Sequence, residues 1–199
     1  MTAAQSRLML ILGAFAAGLL LCAAGLTLIA GPKLSASVAQ SARIGGPFRL
    51  TDQNGKVVTD ADMKGKPFLV FFGFTHCPDV CPTTLFDVSE VLRNLGPDAD
   101  RTGALFITVD PERDNAASLK DYLGSFDPHL RGLTGDPDAL AAVAKEYRVY
   151  YKKVPLEGGD YTMDHTAIVY LMDKDGRFVS PFNLKRKPEA SAAELRKYL

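Results

Sequence analysis

The strongest constraint on the fold is a continuous apolar run, PFLVFFGF, at residues 67–74. A strand with one face in water alternates apolar and polar residues, whereas this run carries no polar side chain. It is therefore predicted to be a strand that is covered on both faces. The segment GALFITVD at residues 103–110 has a similar character and predicts a second buried strand. Two such strands indicate an α/β fold, in which helices cover a largely parallel sheet.

The segments around these strands carry helical patterns. Helices are predicted at residues 83–96, 115–126, 136–147 and 187–199. Asp114 is expected to be the N-cap of the second helix, because its side chain can accept a hydrogen bond from the first turn. Asp136 is expected to cap the third helix, with Pro137 at the first helical position.

Two β-hairpins complete the pattern. One is predicted within residues 45–59, turned at Asn54-Gly55, and the other joins residues 166–173 and 176–182 around DKDG. The order is strand, helix, strand, helix, and then a hairpin with a last helix. This order is typical of a thioredoxin-like α/β sandwich with an added N-terminal hairpin, which we predict for residues 47–199.

The N-terminal segment predicts a membrane anchor, because residues 8–32 hold 25 residues in a row without a charge. A membrane-spanning helix needs about 20 apolar residues, whereas the apolar core of a cleavable signal peptide has about 7–15. We therefore expect residues 1–32 to be an uncleaved transmembrane anchor and residues 33–46 a tether; a cleaved signal peptide is the alternative. Arg7 indicates a cytoplasmic N-terminus. The chain is then a single-pass protein of the bacterial inner membrane, with its soluble domain in the periplasm.

The charge balance excludes nucleic acid as a partner. All 23 acidic residues lie beyond residue 33, whereas two of the 23 basic residues, Arg7 and Lys33, lie at or before it. Residues 34–199 therefore carry 21 basic and 23 acidic residues, a net charge of −2. A nucleic-acid-binding domain would instead show a basic surface.

Two cysteines, Cys77 and Cys81, follow the first buried strand at the start of the predicted helix 83–96. Residues i and i+4 of a helix lie on one face, with β-carbons about 6 Å apart, so the two sulfurs can bind one metal ion or form a disulfide. The helix N-terminus is expected to lower the pKa of such thiols. Cys22, within the anchor, is interpreted as a small apolar residue.

The spacing of the two cysteines bears on three alternatives: a structural disulfide, a redox couple and a metal site. A disulfide would close a very small loop and stabilise little, and a domain of this size does not need one. Three intervening residues differ from the C-x-x-C exchange motif. A closed zinc site would require four protein ligands.

A metal site would take its third ligand from the histidines. His165 precedes strand 166–173, which is predicted to lie beside strand 67–74, and this position favours ligation. His76 adjoins the first cysteine and is expected to point elsewhere, and His129 is expected in a surface loop between a helix and a strand. Two thiolates and an imidazole suit Cu(I) and leave zinc short of ligands, so copper is the predicted metal.

Three segments, GFTHCPDVCPTTL, TVDPERD and MDHTAIVYLMDKDG, together resemble the Sco/SenC family of copper-binding, thioredoxin-like proteins. The resemblance runs from about Gly45 to Leu199. It implies that one copper ion per chain, as Cu(I), Cu(II) or both, is bound by Cys77, Cys81 and His165.

The resemblance also implies a partner, cytochrome c oxidase subunit II. Family members help to assemble its copper A centre by delivering copper, by reducing its cysteines, or by both. Another periplasmic copper chaperone or a thiol reductase is a further expected partner. Asp110 and the PERD turn map onto a loop that lines the same face, where they either shape the site or form an ordinary capped turn. The chain is thus predicted to be a membrane-anchored metallochaperone rather than an enzyme.

An enzymatic alternative stays open at this point. In a thiol–disulfide oxidoreductase, Cys77 and Cys81 would be the catalytic pair and His165 would be dispensable. A peroxidase of the same fold is disfavoured, because neither cysteine has the expected threonine or serine three residues before it.

Overall fold

The computed structural model describes residues 15–22, 25 and 43–199, and the chain divides into two units, Met1–Arg43 and Ile44–Leu199. In the first unit, residues 15–22 and 25 are helical. Within the described residues, no helix combines the length and the hydropathy that a membrane crossing requires. The predicted anchor (1–32) and tether (33–46) lie mostly outside the described residues and stay predictions.

The second unit is organised around a seven-stranded mixed sheet with a separate strand pair beside it. Its strands are β1 (Arg49–Asp52), β2 (Val57–Thr59), β3 (Phe68–Gly73), β4 (Gly103–Thr108), β5 (Leu130–Thr134), β6 (Tyr151–Pro155), β7 (Tyr161–His165), β8 (Val169–Met172) and β9 (Phe178–Pro181). The order across the large sheet is β2-β1-β5-β4-β3-β8-β9, and β6 pairs only with β7. Strands β3, β4 and β5 are parallel, whereas β1 and β8 join them antiparallel.

The two apolar runs form the centre of this sheet. Every residue of β3 and of β4 is buried, and Phe68 of β3 lies opposite Gly103 of β4. The sheet is therefore covered on both faces at this point, which confirms the prediction of two buried strands. Turns lie at Asn54-Gly55 and within DKDG, as the two predicted hairpins require.

Four α-helices connect and cover the strands: α1 (Val80–Leu95), α2 (Ala116–Leu123), α3 (Pro137–Glu146) and α4 (Pro188–Arg196). Helices α1 and α4 pack against each other, and α2 packs on β5. Helix, strand and sheet order together give the mixed α/β, thioredoxin-like architecture that the sequence predicts.

Two helix starts differ from the prediction. Helix α1 begins at Val80 rather than at residue 83, so that Cys81 lies inside its first turn. The N-cap of α2 is Asn115, whose side chain accepts hydrogen bonds from the next turn. Asp114 was the wrong choice of cap, because its carboxylate is turned into the interior and is occupied there. Asp136 caps α3 and Pro137 follows it, as expected.

The hairpin formed by β6 and β7 was not predicted from the sequence. Every residue of β6 is partly or fully exposed, so the strand lacks the apolar alternation by which strands are recognised. Backbone pairing from Tyr151–His165 to Pro155–Tyr161 holds the two strands together. His165 is the last residue of this hairpin, and β8 follows it and pairs with β3, as predicted.

His129 lies in the loop before β5 and contacts two carboxylates that favour its protonated form. Its Nδ1 lies 2.7 Å from Asp127 Oδ1 and its Nε2 lies 3.1 Å from Asp100 Oδ1. These carboxylates, Asp127 foremost, raise the pKa of His129 above its ordinary value. The protonated imidazole therefore stabilises the folded state.

We expect His129→Gln to lower the free energy of unfolding most below pH about 6.5, the ordinary pKa of histidine. A group whose pKa is raised by folding contributes its full stabilisation of the folded state below the pKa that it has in the unfolded chain. This stabilisation is lost as the pH rises through the pKa that the group has in the folded protein. Urea unfolding between pH 5.5 and 8.5 measures the difference between the two proteins. Asp100→Asn, which leaves the Asp127 contact intact, should show the same trend with smaller amplitude. A difference that is constant, or that grows towards alkaline pH, would contradict this interpretation.

Candidate metal centre

The two cysteines stand on either side of the start of α1. Cys77 lies in the turn that follows β3 and is partly exposed, whereas Cys81 lies in the first turn of α1 and is fully buried. The backbone N–H of Cys81 points at Cys77 Sγ over 3.4 Å. The beginning of α1 thus brings the two free thiols together, as the four-residue spacing predicts.

Gly73, the last residue of β3, makes room for the buried sulfur. A β-carbon at this position would lie 2.8 Å from Cys81 Sγ and 2.7 Å from the Phe106 ring. Contacts this short would force the sulfur or the ring to move. The absence of a side chain at Gly73 therefore allows Cys81 to pack against the sheet.

His165 faces the sulfurs from the end of β7. Its Nε2 lies 3.6 Å from Cys81 Sγ, and its ring meets Phe71 and Phe74 edge-on, with centroids 6.2 and 5.8 Å away. Its Nδ1 lies 3.2 Å from the carbonyl oxygen of Thr166. An N–H donated to that carbonyl leaves the lone pair on Nε2, which is the nitrogen that faces the thiols.

These three side chains offer three donor atoms that lie within 4.8 Å of one another. The predicted trio of Cys77, Cys81 and His165 is thereby brought together as one possible metal site. In the described part of the chain, no other group of three cysteine, histidine or acidic residues has one donor atom from each within this distance of the others. His76 is outside it, with Nδ1 3.0 Å from Thr75 Oγ1, and His129 belongs to the loop before β5.

Burial shifts the pKa of two of the three side chains, His165 and Cys81. It lowers the pKa of His165, so that the imidazole is neutral and able to donate its lone pair at neutral pH. Burial also raises the pKa of Cys81. The expectation that the pKa is lowered was therefore wrong for Cys81, because the loss of solvation on burial is the largest effect on this thiol. A cation that binds here replaces the thiol proton, since thiolate is the ligand form.

Asp114 holds the cysteine loop in place. Its carboxylate is fully buried and accepts two hydrogen bonds from Thr75, one from the backbone N–H over 2.9 Å and one from the side-chain hydroxyl over 2.5 Å. The hydroxyl of Thr108, at the end of β4, donates to the same carboxylate over 2.7 Å. Sequence reasoning placed Asp114 at a helix cap and missed this role; the TVDPERD motif was the signal that pointed to the loop.

The donor set fits a small, soft cation. Metal–ligand bonds of about 2.0–2.3 Å place the donors of a trigonal site about 3.5–4 Å apart, so small side-chain movements suffice to close a three-coordinate site. Two sulfurs and one imidazole nitrogen satisfy Cu(I), which accepts low coordination numbers and soft ligands. A closed zinc site would need a fourth protein ligand.

Comparison with known proteins gives concordant matches. Residues 36–199 match the model of the SCO1/SenC family. ScoI of Bradyrhizobium japonicum, solved with copper bound, is 70% identical to this chain with a TM-score of 0.77, over 78% of this chain and 99% of that one. Yeast Sco1 with copper bound is 37% identical with a TM-score of 0.72, over 78% of this chain and 88% of that one.

The mitochondrial relatives are longer proteins. The SCO2 homolog of Bos taurus is 41% identical over 157 residues, which are 77% of this chain and 59% of that protein. The SCO1 homolog of Homo sapiens is 44% identical over 157 residues, which are 75% of this chain and 51% of that protein. The chain thus spans 59% and 51% of the length of these two mitochondrial relatives.

Proposed function

Because this chain belongs to the SCO1/SenC family, we propose that it is a metallochaperone that binds one copper ion per chain and supplies it during assembly of cytochrome c oxidase. The ion is cargo, held by Cys77, Cys81 and His165. The observation that carries the proposal is the convergence of these three donors within 4.8 Å in a chain 70% identical to a ScoI solved with copper bound.

The three proposed ligands have different roles in binding the ion. The two sulfurs, once deprotonated, supply the soft donors that retain Cu(I), and the neutral imidazole completes a third bond without adding charge. Cys77 is partly exposed, so a partner's ligand can reach the ion from its side. The proposed recipient is the copper A centre in subunit II of the oxidase.

The cellular setting is part of the same proposal. Residues 1–32 would anchor the chain in the bacterial inner membrane, and the tether at residues 33–46 would hold the domain in the periplasm. Another periplasmic copper chaperone would load the site, and a thiol reductase would keep both sulfurs reduced, because a Cys77–Cys81 disulfide cannot bind the ion.

Anaerobic Cu(I) titration of the full chain in detergent, followed by native mass spectrometry, tests the proposal. We expect one copper per chain in the wild type and none in the Cys77→Ser/Cys81→Ser double variant, because a single imidazole holds Cu(I) too weakly to survive. Cys22→Ser is the matched control and should retain one copper. Copper that persists in the double variant, or that is lost from Cys22→Ser, would refute the assignment.

The unequal exposure of the two sulfurs supports a second candidate function, thiol–disulfide exchange. A Cys77 thiolate that attacks a client disulfide forms a mixed disulfide, and the Cys81 thiolate then displaces the client as a dithiol, which leaves Cys77 and Cys81 oxidised. The client would be the cysteine pair of the oxidase copper site or another periplasmic protein. Cys81→Ser should trap the mixed disulfide, and His165→Ala should not impair exchange. Absence of a trapped species with a disulfide-bonded client would exclude this activity.

A further inference from the structure

The hairpin of β6 and β7 carries His165 but is only loosely joined to the body of the domain. It shares no backbone pairing with the large sheet, and Met163 is its single fully buried residue. A two-stranded hairpin on its own is marginally stable in water. Whatever fastens the hairpin to the domain therefore decides where the imidazole of His165 lies.

The fastening is a cluster of Asp110, Arg113 and Tyr161, here called the hairpin latch. Arg113 Nε donates to Asp110 Oδ2 over 2.5 Å, and Arg113 Nη1 donates to the carbonyl oxygen of Tyr161 over 2.9 Å. The Tyr161 hydroxyl donates to Asp110 Oδ1 over 2.8 Å. The Arg113 guanidinium also lies over the Tyr161 ring, 3.7 Å from its centroid. Each of the three residues thus contacts the other two.

The latch is anchored in the domain on one side and in the hairpin on the other. Asp110 is buried, and Arg113 has only 16% of its side chain exposed. Both belong to the loop after β4, which Asp114 ties to the cysteine loop through Thr75. One loop therefore holds the sulfur side of the site directly and reaches the imidazole side through Tyr161.

Tyr161 and His165 are the first and last residues of β7, so the position of Tyr161 affects the position of His165. Alternate residues of a strand face the same side, so Tyr161, Met163 and His165 all face the domain. The Tyr161 ring also contacts Lys153, whose ammonium lies 3.8 Å from the ring centroid and 2.6 Å from Glu112 Oε2. The tyrosine ring thus contacts two cations, one from the loop and one from the hairpin.

We propose that Asp110, Arg113 and Tyr161 are positioning residues that keep His165 against the two sulfurs, and that opening this latch converts the three-donor site into a two-sulfur site. This inference rests on the proposed function as far as copper is concerned. The hairpin's attachment, however, is a property of the metal-free protein and can be measured there.

The hydroxyl of Tyr161 offers a conservative test. Desolvation and the hydrogen bond to Asp110 raise the pKa of Tyr161 to about 12, so the hydroxyl is a donor at every working pH. Tyr161→Phe removes this donor and keeps the ring beneath Arg113. Tyr150→Phe is the matched control, because Tyr150 precedes the same hairpin and its side chain is exposed.

The first measurement is amide hydrogen exchange of the metal-free full chain. We expect exchange at the β6–β7 backbone pairs to accelerate about tenfold or more in Tyr161→Phe and in Arg113→Lys, with no change in β3 or α1, because only the hairpin's attachment is weakened. Tyr150→Phe should match the wild type. Unchanged hairpin exchange would overturn the inference, and so would equal acceleration in β3, which would indicate general destabilisation.

The second measurement follows the imidazole in the copper-loaded chain. Tyr161→Phe should still bind one ion per chain, about tenfold more weakly than the wild type, and the nitrogen hyperfine coupling in the EPR spectrum of the Cu(II) form should diminish. A wild-type nitrogen signal in Tyr161→Phe would overturn the positioning role. If the wild type bound no copper, the proposed function would fail, whereas the exchange measurement would still decide whether the latch exists.

Discussion

Replacing His165 with alanine is expected to lower the affinity for Cu(I) by about a hundredfold or more. The imidazole is one of three converging donors, with Nε2 3.6 Å from Cys81 Sγ. Even residues that only orient a metal ligand change metal affinity by about 10–100-fold, so the loss of a ligand sets a larger expectation. Competition against a chromophoric Cu(I) chelator measures the change. Stoichiometry at saturating copper should remain one per chain, because both sulfurs are kept.

His76→Ala is the matched control for that measurement. His76 adjoins Cys77 in sequence, yet it lies outside the donor cluster and contacts Thr75. Its replacement should leave the Cu(I) affinity within about threefold of the wild type. An equal loss in both variants would show that histidines near the site act through charge rather than by ligation. An unchanged affinity in His165→Ala would remove His165 from the ligand set.

Asp114→Ala is expected to cause the largest loss of stability of any single change near the site, about 3 kcal/mol or more in the free energy of unfolding. Three hydrogen bonds end on this buried carboxylate, two of them from Thr75 and one from Thr108. Each buried donor left without a partner costs about 1–3 kcal/mol. Urea unfolding monitored by circular dichroism gives the value, provided that the slope against urea matches the wild type.

Asp114→Asn separates the hydrogen bonds from the charge. An asparagine oxygen can accept from the Thr75 N–H, and its amide can donate to a rotated threonine hydroxyl, so most of the network survives. We expect this variant to lose less than half of what alanine loses. A cost in Asp114→Ala below about 1 kcal/mol would show that the cysteine loop does not depend on this carboxylate.

The central strands and the convergence of Cys77, Cys81 and His165 were predictable because each leaves a strong local signal. An apolar run such as residues 67–74 predicts a strand that is buried on both faces. The structure confirms this prediction, because every residue of β3 is buried. Cys77 and Cys81 follow this strand directly, and their spacing places both sulfurs on one side of a helix start. His165 was placed correctly because β8, which follows it, pairs with β3.

The hairpin, the buried carboxylate and the state of Cys81 could not be predicted in this way. The residues of β6 are partly or fully exposed and include two lysines, so the strand is held by backbone pairing rather than by an apolar face. Asp114 follows the ordinary preference of an aspartate before a helix, and only the fold reveals that Thr75 competes for it. The pKa of Cys81 depends on burial, which depends in turn on Gly73 and Phe106 leaving a closed space around the sulfur.

Cys81 and His165 are separated by 84 positions in the chain. An ion bonded to both residues would close the intervening stretch of chain into a ring, as a covalent cross-link does. It would do so only while the chain is folded. A ligand held by the folded state alone adds its binding free energy to the resistance against unfolding. We therefore expect the copper-free protein to unfold at a lower temperature, and to be digested faster by a protease, than the copper-loaded protein.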